Sequence, residues 1–213
     1  MKLNSHFQLF EKAQLAITNT QRSAELNKRM SAYGFTPERM QEGQGILDRA
    51  RSFYDTKRDR YHERQRIGNR LNADRETVYA TFRDHVATAR LAFRHDPETL
   101  NLLNIRKIVN IRSWQWTAQA ETFYQQVSQH TKEMAKYQVK ANELQQAQAS
   151  VEALVALKGQ RQQVKADAEE ATRMKNEALR ELRQWLRDFH AVARIATQDV
   201  PQLREAYGVV VRA

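Results

Sequence analysis

Phe82-Arg83-Asp84-His85-Val86-Ala87-Thr88-Ala89-Arg90-Leu91-Ala92, running on to Pro97, returns 104 residues later as Leu186-Arg187-Asp188-Phe189-His190-Ala191-Val192-Ala193-Arg194-Ile195-Ala196, running on to Pro201. Seven of the fifteen positions from 83 to 97 are identical in the second stretch. At the same offset and without a gap, Lys28, Met30, Tyr33, Gln41, Gln44 and Asn72 match Lys132, Met134, Tyr137, Gln145, Gln148 and Asn176. Such a recurrence reads as one helical unit written twice, and an internal repeat governs the fold ahead of any single motif. The expected units are residues 1–104 and 105–213.

Outward from that stretch the apolar spacing is helical throughout. A first helix is expected from residue 5 to about 32, with Leu3, Phe7, Phe10, Ile17 and Ala24 on a heptad seam that Gln14 and Gln21 complete. Tyr33-Gly34-Phe35-Thr36-Pro37-Glu38 then supplies a left-handed stop, a cap and a proline start, which is a helix corner. The next helix carries Met40, Leu47, Ala50, Tyr54 and Tyr61 inward. Gly68-Asn69 and Asn72-Ala73-Asp74 are candidate bends before the seam resumes at Tyr79, Phe82, Val86, Ala89 and Phe93. His95-Asp96-Pro97 ends it, because a residue before proline avoids the helical region.

The second unit opens on Trp116, Ala120, Phe123, Val127, His130, Met134 and Tyr137, spaced alternately four and three. From Leu144 the seam runs through Ala147, Val151, Leu154, Leu157, Val164, Ala168, Ala171, Ala178, Leu182, Trp185, Phe189 and Val192, interrupted only by Gly159. One continuous helix of that reach, ~85–90 Å long at 1.5 Å per residue, is favoured over a hairpin without a turn residue at its apex. The fold class expected is all-α: a tandem duplication of a helix–corner–long-helix unit forming an extended helical bundle or coiled coil.

Six glycines and three prolines in 213 residues argue against turn-rich all-β folds. The absence of cysteine excludes disulfides, thiolate metal sites and cysteine nucleophiles. No apolar run follows Met1-Lys2-Leu3-Asn4-Ser5-His6, and none approaches a membrane span, so a cytoplasmic protein is expected. The net charge of +10 is shared between the two units, five each. A local surplus from 48 to 75 sets nine basic residues against five acidic, and there Arg49, Arg51, Lys57, Arg58, Arg60, Arg64 and Arg66 form a possible polyanion-binding stripe. The matching span 152–179 is balanced, so the stripe is no part of the repeat, and a solvated helix face explains it most simply.

Catalytic chemistry finds no foothold in the sequence. A di-metal carboxylate bundle needs Glu-x-x-His on two helices, and none occurs; Asp59-Arg60-Tyr61-His62 is the nearest spacing. No histidine recurs at the offset, and Gly43-Gln44-Gly45 lacks the Lys-Ser/Thr of a phosphate loop. Neither an enzyme nor a cofactor is expected. The Arg83-Asp84 and Arg187-Asp188 pairs read as interhelix salt bridges. Trp116 is on the seam and expected in the core. Trp114, two residues away, is the candidate exposed anchor. Val209, Val210 and Val211 form an apolar segment expected to dock, either on the body of the protein or on a neighbouring molecule.

In its Tyr-Gly-Phe-Thr-Pro-Glu corner, its Glu-Leu-Arg-Gln-Trp-Leu-Arg-Asp-Phe stretch with the following Ala-Arg-Ile-Ala, and its Pro-Gln-Leu-Arg-Glu-Ala-Tyr-Gly-Val ending, the chain resembles an uncharacterised bacterial family of duplicated all-helical proteins. The resemblance covers most of the length and implies a fold but no activity. The function expected is structural: a self-associating helical building block of a filament or other homo-oligomer. A nucleic-acid or other polyanion-binding role is the alternative.

Overall fold

The computed structural model describes residues 3–207, apart from the side chains of residues 3–5, 204 and 206. Among the described residues every regular element is helical: α1 (Leu3–Arg22), α2 (Ala24–Ala32), α3 (Pro37–Ala92), α4 (Pro97–Leu102), α5 (Gln115–Val127), α6 (Thr131–Ala135) and α7 (Ala141–Ala196), with 3-10 turns at Ser128–His130 and Pro201–Tyr207. Helices α3 and α7 are each 56 residues long, and both their first and their last residues stand 104 apart.

Both long helices are uninterrupted, so the chain does not break at the candidate positions 68–74 and α7 does not fold back at Gly159. The magnitudes explain why. A helical glycine costs ~1 kcal/mol against alanine. Burying Ile67 and Leu71, which lie one turn apart on either side of Gly68-Asn69, is worth ~1.5–3 kcal/mol each. The same holds at Gly159, where Leu154 and Leu157 are buried just before it.

The expected first helix is instead two. Ser23 takes an extended conformation and its Oγ accepts from Leu26 N–H at 3.3 Å, capping α2. The break turns the buried face: Phe10, Ala13, Ala16, Ile17 and Thr20 point inward, while Phe7, Gln21 and Ala24 are exposed. The buried Thr20 hydroxyl donates to Ala16 O at 2.7 Å, so no polar group is stranded there.

The chain divides into two compact units that interleave the sequence halves. Unit 1 takes the chain up to Tyr61 and from Asp167 onward, and unit 2 takes His62–Ala166. The sequence halves 1–104 and 105–213, expected as repeat units, thus each contribute to both, through the two stretches of α3 and of α7. In unit 1, Phe10 and Ile17 of α1, Met30 of α2, Met40 and Leu47 of α3, and Leu182, Trp185 and Phe189 of α7 form one core with Tyr207. The two long helices run antiparallel there, since Gly43 meets Trp185 while Arg49 reaches Glu181 at 2.8 Å. In unit 2, Leu71, Phe82, Val86 and Ala89 of α3 pack with Trp116, Phe123 and Val127 of α5, Met134 of α6, and Leu144, Val151 and Leu154 of α7. Every seam residue named on α7 from Leu144 to Phe189 is buried; Val192 is half-buried. Tyr61, expected inward, is exposed beneath the Lys57 ammonium, 5.0 Å from its ring.

Candidate functional site

Two corners position the surface that matters most. In unit 1 the N–H of Tyr33 and that of Phe35 both donate to Met30 O, at 3.1 and 3.0 Å, and Gly34 between them has φ 89°. In unit 2 the N–H of Tyr137 and that of Val139 both donate to Met134 O, at 3.0 and 3.2 Å, and Gln138 has φ 67°. This is one helix-stop motif met twice at the offset of 104. In each, the residue after the stop (Phe35, Val139) is buried and the tyrosine before it lies outside.

The last turns of α3 and α7 add a second exposed apolar residue to each pattern. Tyr33 and Ile195 are 53% and 51% exposed, and both line one open hollow in unit 1 with Lys28, Arg29 and Asp199. Tyr137 and Leu91 hold the corresponding positions in unit 2 and are 36% and 46% exposed. The charges around them are not repeated. Arg29 donates to Glu25 and Asp199, both at 2.5 Å, and to Ala196 O at 3.3 Å. Its counterpart is Glu133, and the counterpart of Asp199 is His95.

The basic stripe is largely engaged by local acids and rings. Arg49 pairs with Glu181, and Arg58 with Asp55 and Asp59 at 3.3 Å each. Arg51 donates to Gln14 Oε1 at 3.0 Å and lies over the Phe10 ring. Arg60, Arg64 and Arg66 are exposed.

Trp114 is not the free anchor that its spacing from Trp116 suggested. It caps α5 rather than lying within it, and it packs half-buried against the core of unit 2. The Arg75 guanidinium and the Lys158 ammonium lie over its indole, 5.7 and 4.7 Å from the ring. Trp116 is fully buried, as expected of a seam residue. Val209, Val210 and Val211 lie outside the described residues.

No protein-family model, curated protein or solved structure matches the chain. Its residues alone therefore carry the functional reading. The Arg-Asp pairs form no interhelix bridges among the described contacts: Arg83 and Asp84 are exposed, and Arg187 and Asp188 bond to Gln184 on their own helix. Arg90 acts on backbone instead, donating to Ile105 O and Arg106 O. His85 Nδ1 is 3.1 Å from the Tyr124 hydroxyl, and burial holds its pKa below the usual value while raising that of Tyr124. His130 stacks edgewise on Phe93. Among the described residues no three histidines or carboxylates gather to hold a metal ion, and no helix is long and apolar enough to cross a membrane. Sequence reasoning missed the Tyr33–Ile195 and Tyr137–Leu91 pattern, although all four positions fall inside the repeat that it identified.

Proposed function

We propose that this chain is a duplicated helical unit that associates with copies of itself as a structural building block. The observation that carries the reading is the repeated exposure of a tyrosine and an aliphatic side chain, Tyr33 with Ile195 and Tyr137 with Leu91, at equivalent positions of the two units. A chain with two like surfaces can join more than one neighbour, and contacts between unlike faces grow openly unless the geometry closes them. The coiled-coil spacing of Leu144, Ala147, Val151 and Leu154, and again of Ala178, Leu182, Trp185 and Phe189, supports a long-helix scaffold as the backbone of such a block.

Sedimentation of the double variant Tyr33→Ser/Ile195→Ser tests the proposal. Both side chains are half exposed, so the variant is expected to keep its helix content and lose particle mass. An unchanged mass, or a mass that grows only with added DNA at low salt, contradicts it; the latter result marks polyanion binding.

A further inference from the structure

In unit 1, Phe7 and Phe10 lie one turn apart on α1 and so share a face. Tyr54 of α3 meets both, with ring centroids 5.9 Å away in each case and interplanar angles of 68° and 85°. Rings set so steeply wall a space instead of closing it by flat stacking. Together with Glu11, Arg51 and Asp55 they line a hollow of about 290 Å³. Phe10 is buried, Tyr54 half-buried and Phe7 52% exposed, so the hollow runs from the core surface out to solvent.

The polar groups of the lining select the sign of an occupant. Two carboxylates, Glu11 and Asp55, stand against one guanidinium, Arg51, which leaves the lining net negative in a chain that carries +10. Arg51 is already engaged: it donates to Gln14 Oε1 at 3.0 Å and lies 6.0 Å from the centre of the Phe10 ring. Asp55 pairs with the Arg58 guanidinium at 3.3 Å, but both side chains are exposed and solvent screens the pair. Glu11 is exposed and makes no ion pair among the described contacts. The rings of Phe7 and Tyr54 face no cation among those contacts, although aromatic faces attract one through the ring quadrupole. A primary ammonium gives up hydrogen bonds to water on entering such a site, and rings return them poorly. A quaternary ammonium has no N–H to satisfy.

We propose that this hollow binds a free quaternary ammonium compound, its cationic head against Phe7 and Tyr54 and its charge balanced by Glu11 and Asp55. Arg51 keeps its place over Phe10 and bounds the site on that side. None of the residues of the Tyr33–Ile195 pattern takes part, so the proposal goes beyond self-association and does not depend on it.

Choline is the probe, titrated into the full-length protein at constant ionic strength and followed by the line width of its methyl protons. Saturable broadening is expected. The affinity is expected to exceed, by about fivefold or more, that for the neutral isostere in which a tert-butyl group replaces the trimethylammonium. Phe7→Ala and Glu11→Gln, both at exposed positions, are each expected to weaken binding several-fold with helix content unchanged. Equal affinity for the isostere overturns the proposal, because the hollow then reads apolar surface and not charge. Binding unchanged in both variants overturns it too, since the cation then sits elsewhere. So does a failure to bind free choline, including the case in which the protein floats with phosphatidylcholine vesicles alone. Particle mass measured on the same samples reports self-association separately.

Discussion

At Gly43 a Cβ atom built on the backbone falls 2.2 Å from Cζ2 of Trp185, a distance no real contact has. Alanine in a helix is favoured over glycine by ~1 kcal/mol, yet here its methyl would meet a buried indole that packs against the Phe189 and Phe35 rings, 5.5 and 5.9 Å away. Gly43→Ala is therefore expected to lower the denaturation midpoint. Gly45→Ala and Gly159→Ala, where nothing lies within 4 Å, are expected to raise stability by ~0.5–1 kcal/mol. Trp185 and Phe189 were legible from spacing alone. Gly43 was not, because its reason lies on a helix far away in sequence, and a glycine in a helical pattern reads only as a cost. Titration adds a second prediction at this scale. Burial lowers the pKa of His85, partly offset by Glu143 and Asp84, and burial together with Lys12 lowers that of His190. The unfolded chain therefore binds these protons first as pH falls through the usual 6.5, and stability falls with pH from there down to the depressed folded values. Urea denaturation at about pH 7.5 and about pH 5.5 is expected to show this loss, smaller in His85→Gln/His190→Gln. The carboxylates held low by hydrogen bonds, Asp96 by Thr99 and Asp199 by Arg29, lose their contribution only at lower pH.

Among the elements, the corners show how one hydrogen-bond pattern tolerates different residues at different cost. Gly34 adopts φ 89° freely, whereas Gln138 holds φ 67° against the left-handed penalty of ~1–2 kcal/mol. Gln138→Gly is accordingly expected to stabilise the protein by ~1 kcal/mol in urea denaturation, and Gly34→Ala to destabilise it by a similar amount. The Gly34 corner was legible from Gly, Thr and Pro in sequence. Its second copy, Tyr137-Gln138-Val139-Lys140, carries none of those residues and was legible only through the repeat. The break at Ser23 went unread although Ser23 and Glu25 form a cap signal, because the heptad spacing of Phe10, Ile17 and Ala24 suggested one seam running through it. The candidate break at 68–74 is absent for the opposite reason: local breakers lost to the burial of Ile67 and Leu71.

For the whole molecule, the repeat in sequence and the units in space are different partitions. Each unit draws one stretch from α3 and one from α7, so the core around Met40 and Leu47 needs Leu182, Trp185 and Phe189 from the other half of the sequence. Residues 1–104 expressed alone are therefore expected to lack a fixed core, with helical far-ultraviolet signal but broad, unprotected amide exchange. An exchange pattern matching that of the same residues in the intact chain would refute the interleaved cores. Self-association through the repeated exposed pairs is measured by particle mass against protein concentration at low and high salt, with and without DNA. Association through these pairs gives a mass that rises with concentration in both salts without DNA and falls back toward 24.9 kDa in the Tyr33→Ser/Ile195→Ser variant. A single species of 24.9 kDa at every concentration and both salts would contradict it.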